Sequence, residues 1–294
     1  MKRYIPFIIL LFLCLTGCKN DKQNTPSPSG KTYKIVFNAS SSSQSINSTG
    51  AKVVNSLKTN AVGPVSSSAK RLYYIVYDSS GKLVHEIGQD STVSDFGRIA
   101  DDLPAGTYTC YFGAGQNYFY STIASSTFLN YRGLGIPPTW EDWFYKKITL
   151  TITDSNINQD VVLERMVGQL QLNIEDAIPA SVLSISITTI GELAFYDYLQ
   201  GAFTHSQDIE TFVGIPTANY KPTLLIGNTA TPISIKITCY DSKGVVAQRT
   251  ISNVQFTKNV KTILSGKLFT ASKGDFAVGV NDTFDPTPFV TVKF

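Results

Sequence analysis

Histidine is almost missing from this chain: there are two, His85 and His205, and neither has a second His, a Cys or paired carboxylates at metal-ligand spacing. No zinc site can be read from such a pattern. No Gly-x-Ser-x-Gly elbow occurs, and Gly113-Ala114-Gly115 lacks the third glycine and the following helix of a dinucleotide site. Glu141 and Asp142 are the one carboxylate pair to consider as acid and base, but adjacent carboxylates point apart, and the pair reads as solvated. The run Asn281-Asp282-Thr283-Phe284-Asp285 has too few carboxylates for a Ca²⁺ loop. Charge is scarce too, at 16% of residues with a formal net of +3. So balanced a surface argues against a nucleic-acid partner. The sequence therefore predicts no enzyme, no metal and no cofactor.

Long apolar runs are also absent, with one exception. MKRYIPFIILLFLCLTGC opens with Lys2 and Arg3, continues through an apolar stretch from Ile5 to Leu15, and ends in Leu15-Thr16-Gly17-Cys18. The stretch is too short for a stable membrane span and reads as an export signal over 1–17. Its last four residues resemble the bacterial lipobox, which makes Cys18 the expected lipid-carrying residue; loss of Lys2 and Arg3 then takes the net charge from +3 to +1. Acyl chains contribute ~0.8 kcal/mol per buried methylene, enough to hold the protein on a membrane. Lys19 rather than Asp follows the Cys. That favours the outer membrane, with the lipid as the only attached group. The sequon Asn38-Ala39-Ser40 carries little weight in a bacterial lipoprotein.

Cysteine is sparse as well. With Cys14 in the signal and Cys18 lipidated, Cys110 and Cys239 remain, in different halves and inside apolar strand-like runs. A disulfide between them suits an oxidising compartment. Two separate buried thiols acting as small hydrophobes is the reading preferred here.

What the chain has in abundance is β pattern. Residues 18–32, rich in Pro and Ser, read as a flexible tether, and SSSSQSINSTG at 40–50 as a long loop. From Arg71 onward, alternating runs such as RLYYIVYD, KKITLTIT, SVLSISITTI and PISIKITCYD are separated by turn residues at short intervals. Helical periodicity is rare, and TWEDWFYKK around Trp140 is its best candidate. This is the signature of all-β, antiparallel sandwiches. YDSSGKLV at Tyr77–Val84 returns as YDSKGVV at Tyr240–Val246, each a strand running into an Asp-Ser-x-Gly turn and followed by a further turn and strand. The repetition predicts two sandwich domains, 33–163 and 164–294, with the second opening on a strand from Met166.

Two stretches are candidates for contact. Aromatics crowd the segment from Tyr111 to Tyr145, among them Tyr118, Tyr120, Tyr131, Trp140 and Trp143. Such a loop suits a surface for a host protein or a glycan; the alternative is that the rings fold back and cap the first sandwich. At the C-terminus, PFVTVKF alternates Val290, Val292 and Phe294 with polar residues. It is either the last edge strand of the second domain or a strand that completes a neighbour's sheet.

Taken together, LERMVGQLQLNIED (Leu163 to Asp176), LPAGTYTCYF (Leu103 to Phe112) and NVQFTKNVKTILSGKLF (Asn253 to Phe269) resemble the fimbrillin superfamily of Bacteroidetes, builders of type V fimbriae. The Cys18 lipobox fits that resemblance. It implies two transthyretin-like sandwiches in tandem, a place at the cell surface, and pilin subunits as partners. Stalk subunits of that family are cut after an arginine near the N-terminus, whereas here no Arg lies between Cys18 and Arg71. That departure points to an anchor or minor subunit that keeps its lipid and joins pilins by strand addition. The runner-up is a surface lipoprotein that binds a glycan or host protein through the aromatic loop.

Overall fold

A computed structural model describes residues 30–44, 60–116, 120–122, 127–129, 140–214, 221–270 and 277–281. Among these the chain is all strand, apart from turns and one short 3-10 turn at Val65–Ser67. The first eleven strands are β1 (Thr32–Gln44), β2 (Asn60–Pro64), β3 (Arg71–Asp78), β4 (Leu83–Asp90), β5 (Arg98–Pro104), β6 (Gly106–Gly115), β7 (Tyr120–Thr122), β8 (Thr127–Leu129), β9 (Trp143–Ile152), β10 (Ile157–Arg165) and β11 (Gly168–Ile174). The rest are β12 (Ser184–Asp197), β13 (Ala202–Gly214), β14 (Thr223–Ile226), β15 (Ile233–Asp241), β16 (Gly244–Val254), β17 (Lys261–Gly266) and β18 (Ala277–Asn281).

Two cores organise these strands. In the first, β5, β1 and β10 form one layer and β4, β3, β6 and β9 the other. Phe37 of β1 packs edge-on against Phe112 of β6 at 5.0 Å and beside Tyr74 of β3 at 5.5 Å, with Ile35, Leu103, Leu72 and Leu163 around them. The layers meet at one corner, where Glu164 pairs with Tyr145 and Arg165 with Phe144. In the second core, Leu170, Leu172, Leu224 and Leu264 from β14, β11 and β17 face Ile185, Ile187, Ile235 and Ile237 from β12 and β15. Burial alternates along β5, and along β15 from Ile233 to Ile237 with apolar residues inward, which places one face of each strand in its core.

The two units share one topology. β4-β3-β6-β9 matches β13-β12-β15-β16, and β5-β1-β10 matches β14-β11-β17. In both, the first strand pairs in parallel with the last, β1 with β10 and β11 with β17. The duplication is therefore present, but the repeated Tyr-Asp-Ser-x-Gly turns do not mark equivalent hairpins. The first joins β3 to β4, the second joins β15 to β16, and the topological partner of the first is the β12–β13 turn at Asp197–Gly201. Local chemistry explains the false match. Asp78 Oδ1 accepts from the amides of Ser80 and Lys82, Asp197 Oδ1 from Leu199 and Gln200, and Asp241 Oδ1 from Lys243 and Gly244, all within 2.7–3.0 Å. An Asp leading a tight turn recurs because it satisfies the turn's own amides, whatever the ancestry of the strands.

Three expectations change. TWEDWFYKK is no helix: from Trp143 it is β9, whose consecutive aromatics serve both faces, Phe144 the first core and Trp143 and Tyr145 the junction between units. The second unit opens at Gly168, after Arg165 ends β10, rather than at Met166. The β7–β8 hairpin, from the first half of the chain, extends the second unit's sheet, with Phe128 opposite Tyr196.

Candidate functional site

The aromatic-rich segment, for which the sequence left open a contact surface or rings folded back on the first sandwich, leads into the joint between the units. Trp140 and Trp143 are 4% and 1% exposed, so the reading of these two as solvent-facing contact residues is corrected. They stack on each other at 6.3 Å, and Trp143 meets Tyr196 edge-on at 4.9 Å. Tyr145 donates to the Tyr198 carbonyl, and the Tyr77 and Tyr198 hydroxyls bond at 2.8 Å. Tyr111 lies edge-on to both Tyr77 and Tyr198. Burial pushes the Tyr145, Tyr196 and Tyr198 hydroxyls well above the usual tyrosine range. Tyr120 falls in β7, while Tyr118 and Tyr131 lie outside the described residues.

A β-bulge brings the second unit's hairpin onto this surface. Register shifts between Thr189 and Glu192, where Gly191 adopts a φ of 86°, a conformation that suits glycine. Beyond the bulge β12 continues to the tip at Tyr196–Tyr198, which lies against Tyr77, Tyr111, Trp143 and Tyr145 of the first unit. Glu192, 1% exposed, fills the bulge: its Oε1 accepts from the Asn228 amide at 2.6 Å and the Leu193 amide at 2.9 Å. Burial raises its carboxyl to about 7, against the opposing pull of these amides. Trp140 Nε1 donates to the Leu193 carbonyl at 2.8 Å.

The backbone crossing is clasped by Arg165. Its Nε and Nη2 donate to Asp142 Oδ1 and Oδ2 at 2.7 and 2.9 Å, Nη1 donates to Asn259 Oδ1 of the second unit, and the guanidinium lies over Phe144 at 4.8 Å. Asp142, read from sequence as half of a solvated pair, is thus the half-buried partner of a buried arginine. Burial raises its carboxyl, partly countered by Arg165. Nothing in the local pattern signals this, because Asp142 and Asn259 are 117 positions apart; a charged residue in an apolar run, as in LERMVGQL, is the one available hint.

The other place of interest is the edge that leads to the C-terminus. β18 pairs antiparallel with β17 from Ser265↔Ala277 to Lys261↔Asn281, so β17 has β11 on one side and β18 on the other. The chain leaving β17 is pinned by Asp176, whose carboxylate accepts from the Leu268, Phe269 and Thr270 amides at 2.7–2.9 Å. The strand candidates Val290, Val292 and Phe294, and the lipidation candidate Cys18, lie outside the described residues.

The remaining candidates are structural. His85 Nδ1 meets Asp101 at 2.7 Å, and Asp101 also accepts from the Tyr74 hydroxyl, linking edge strands β4 and β5 across the first core. His205 sits in β13. Cys110 and Cys239 are both free and buried, and burial pushes each thiol up to about 12. No cluster of metal-ligating side chains occurs among the described residues.

No family model and no curated protein matches the chain. Among solved structures it is similar to a protein of Bacteroides thetaiotaomicron provisionally described as polysaccharide-binding, with a TM-score of 0.55 at 10% identity over 85% of this chain and 96% of that one. It is also similar to the fimbrial anchor protein Mfa2 of Porphyromonas gingivalis, with a TM-score of 0.52 at 12% identity over 85% and 98%. The chain therefore shares the β-sandwich fold of these proteins, and the fimbrillin resemblance read from sequence holds at the level of fold.

Proposed function

We propose that the chain is a non-catalytic, lipid-anchored structural subunit of a fimbria, an anchor or minor subunit of two transthyretin-like sandwiches that joins pilin subunits by strand addition. The observation that carries this reading is the fold shared with a fimbrial anchor protein over 85% of this chain and 98% of that one. Three features support it. Cys18 ends the Leu15-Thr16-Gly17-Cys18 motif, and residues 19–31 separate it from β1, a tether that spans at most roughly 45 Å. The second unit already adds one late strand, β18, to its sheet edge. Val290, Val292 and Phe294 follow with the alternation that a further added strand requires. Burial of those three side chains in a partner contributes ~1.5–3 kcal/mol each.

A photo-crosslinker at Val292, used in living cells with mass spectrometry of the captured species, tests the joint. Capture of a pilin-like β-sandwich protein is the expected result. Capture only within the chain itself assigns Val292 to the second unit and removes strand addition at this end. Radiolabelled palmitate incorporation that survives Cys18→Ser removes the lipid assignment.

A further inference from the structure

In each unit the first strand lies beside a late strand that runs the same way. In the first, β1 and β10 pair in parallel from Ile35↔Ile157 to Ser41↔Leu163. In the second, β11 and β17 pair in parallel from Gln169↔Lys261 to Ile174↔Gly266. The chain thus enters the first ladder at one end and leaves it at the other, and it runs the same way through the second as far as Gly266, before β18 returns it to the entry end beside Lys261. Force that draws a ladder's two ends apart acts along the strands and slides one past the other. The evenly spaced bonds of a parallel pair are then strained together. In an antiparallel hairpin pulled at its open end, by contrast, the bonds break in succession.

We infer that both units are tension clamps, built to resist force applied between the start of their first strand and the end of its parallel partner, β10 or β17. The first ladder carries side-chain ties in addition to its backbone bonds. Asn38 Nδ2 donates to Asn158 Oδ1 at 3.1 Å and to Asp160 Oδ1 at 2.9 Å, the Lys34 amide to Asn156 Oδ1 at 2.9 Å, and Ser42 Oγ to the Leu163 carbonyl at 3.2 Å. The second has Asn173 Nδ2 donating to Ser265 Oγ at 3.2 Å. β18 is loaded differently. Its Asn281 end lies beside Lys261, at the start of β17, so force on that end towards Gly266 peels it from β17 rung by rung. The clamps follow from strand direction alone and hold whichever partner grips the ends, so the inference goes beyond the fimbrial reading.

Forced unfolding reports the height of the barrier along the pulling direction rather than equilibrium stability, so one protein pulled in two directions gives the test. The full chain carries Cys14→Ser and Cys18→Ser, leaving the buried Cys110 and Cys239. DNA handles are attached through Lys31→Cys and Lys267→Cys in one form, and through Ser80→Cys and Asp154→Cys, at two exposed turns of the first unit, in the other. In optical tweezers the first form is expected to unfold in two rips, about 43 nm for 32–165 and about 31 nm for 168–266 at ~3.5 Å per residue less the folded span. The 43-nm rip should need at least about twice the force that opens the first unit through Ser80 and Asp154. Equal or lower force along the Lys31–Lys267 direction, in two forms with matching thermal midpoints, overturns the clamp.

Discussion

The indole of Trp140 lies where a side chain on residue 227 would begin: a Cβ placed on Gly227 would overlap Cε2 and Nε1 of the ring. Gly227 follows β14 in the second unit, and Trp140 precedes β9 in the first, so the joint between units depends on the smallest residue meeting the largest. Gly227→Ala therefore has to displace the indole from Leu193 and Phe203. Overpacking of this kind costs roughly 1–3 kcal/mol. The expected result is a lower thermal midpoint with a red-shifted tryptophan emission. Trp140→Phe combined with Gly227→Ala should recover part of the loss, because it removes the clashing ring.

Glu192 gives the joint a pH dependence. Its folded carboxyl is raised from 4.5 to about 7, so the folded chain holds a proton that the unfolded chain releases. The contribution is fully present below pH 4.5 and is lost as pH rises through 7. Between pH 5 and 8 the loss amounts to about 3 kcal/mol at most. Asp208, which accepts from the Gly191 amide, is the charged neighbour of the bulge, while Ile209, Thr211 and Leu224–Ile226 add no charge. Denaturant midpoints across that range should fall with rising pH, and Glu192→Gln should flatten the slope. An unchanged slope in Glu192→Gln excludes Glu192 as its source.

The Arg165 clasp predicts an asymmetry between single and double substitutions. Arg165→Met leaves the half-buried Asp142 with no countercharge, which costs at most roughly 3–5 kcal/mol. Adding Asp142→Asn removes the stranded charge and should recover much of that. A double-mutant cycle on urea midpoints measures the coupling, and additivity of the two changes would show that the pair is not coupled.

How far the sequence alone reaches can be judged from particular residues. The strands were legible because alternation such as Ile148, Leu150 and Ile152 against threonines is a local signal, and the resemblance of LERMVGQLQLNIED to fimbrillins pointed to a fold that the structure has. The hairpin match was legible and misleading: Asp78 and Asp241 cap their turns for the same local reason, in strands that do not correspond. What could not be read was anything set by distant partners. Whether Trp140 and Trp143 face solvent depends on Tyr196 and Gly227, and the fate of Asp142 depends on Arg165 and Asn259. Composition makes an aromatic loop look adhesive, and only the second unit's bulged hairpin reveals that the two tryptophans are already covered.

Asp176 supplies the last prediction, at the point where the chain leaves the second core for β18. Burial alone would raise its carboxyl, but the amides of Leu268, Thr270 and Phe269 outweigh it and hold the carboxyl below the ordinary 3.8. A depressed carboxyl contributes stability that is present above 3.8 and is lost as pH falls below it. Asp176→Ala leaves three amides without their acceptor, at a cost of roughly 1–3 kcal/mol for the group as a whole if water replaces part of it. Because those amides belong to residues 268–270, the loss should be local before it is global. Hydrogen exchange should quicken in Leu268–Thr270 and in β18, while β11 and β12 keep their protection. Exchange that quickens equally throughout the second unit would mean that Asp176 supports the whole core rather than the exit of the chain towards its C-terminal strand.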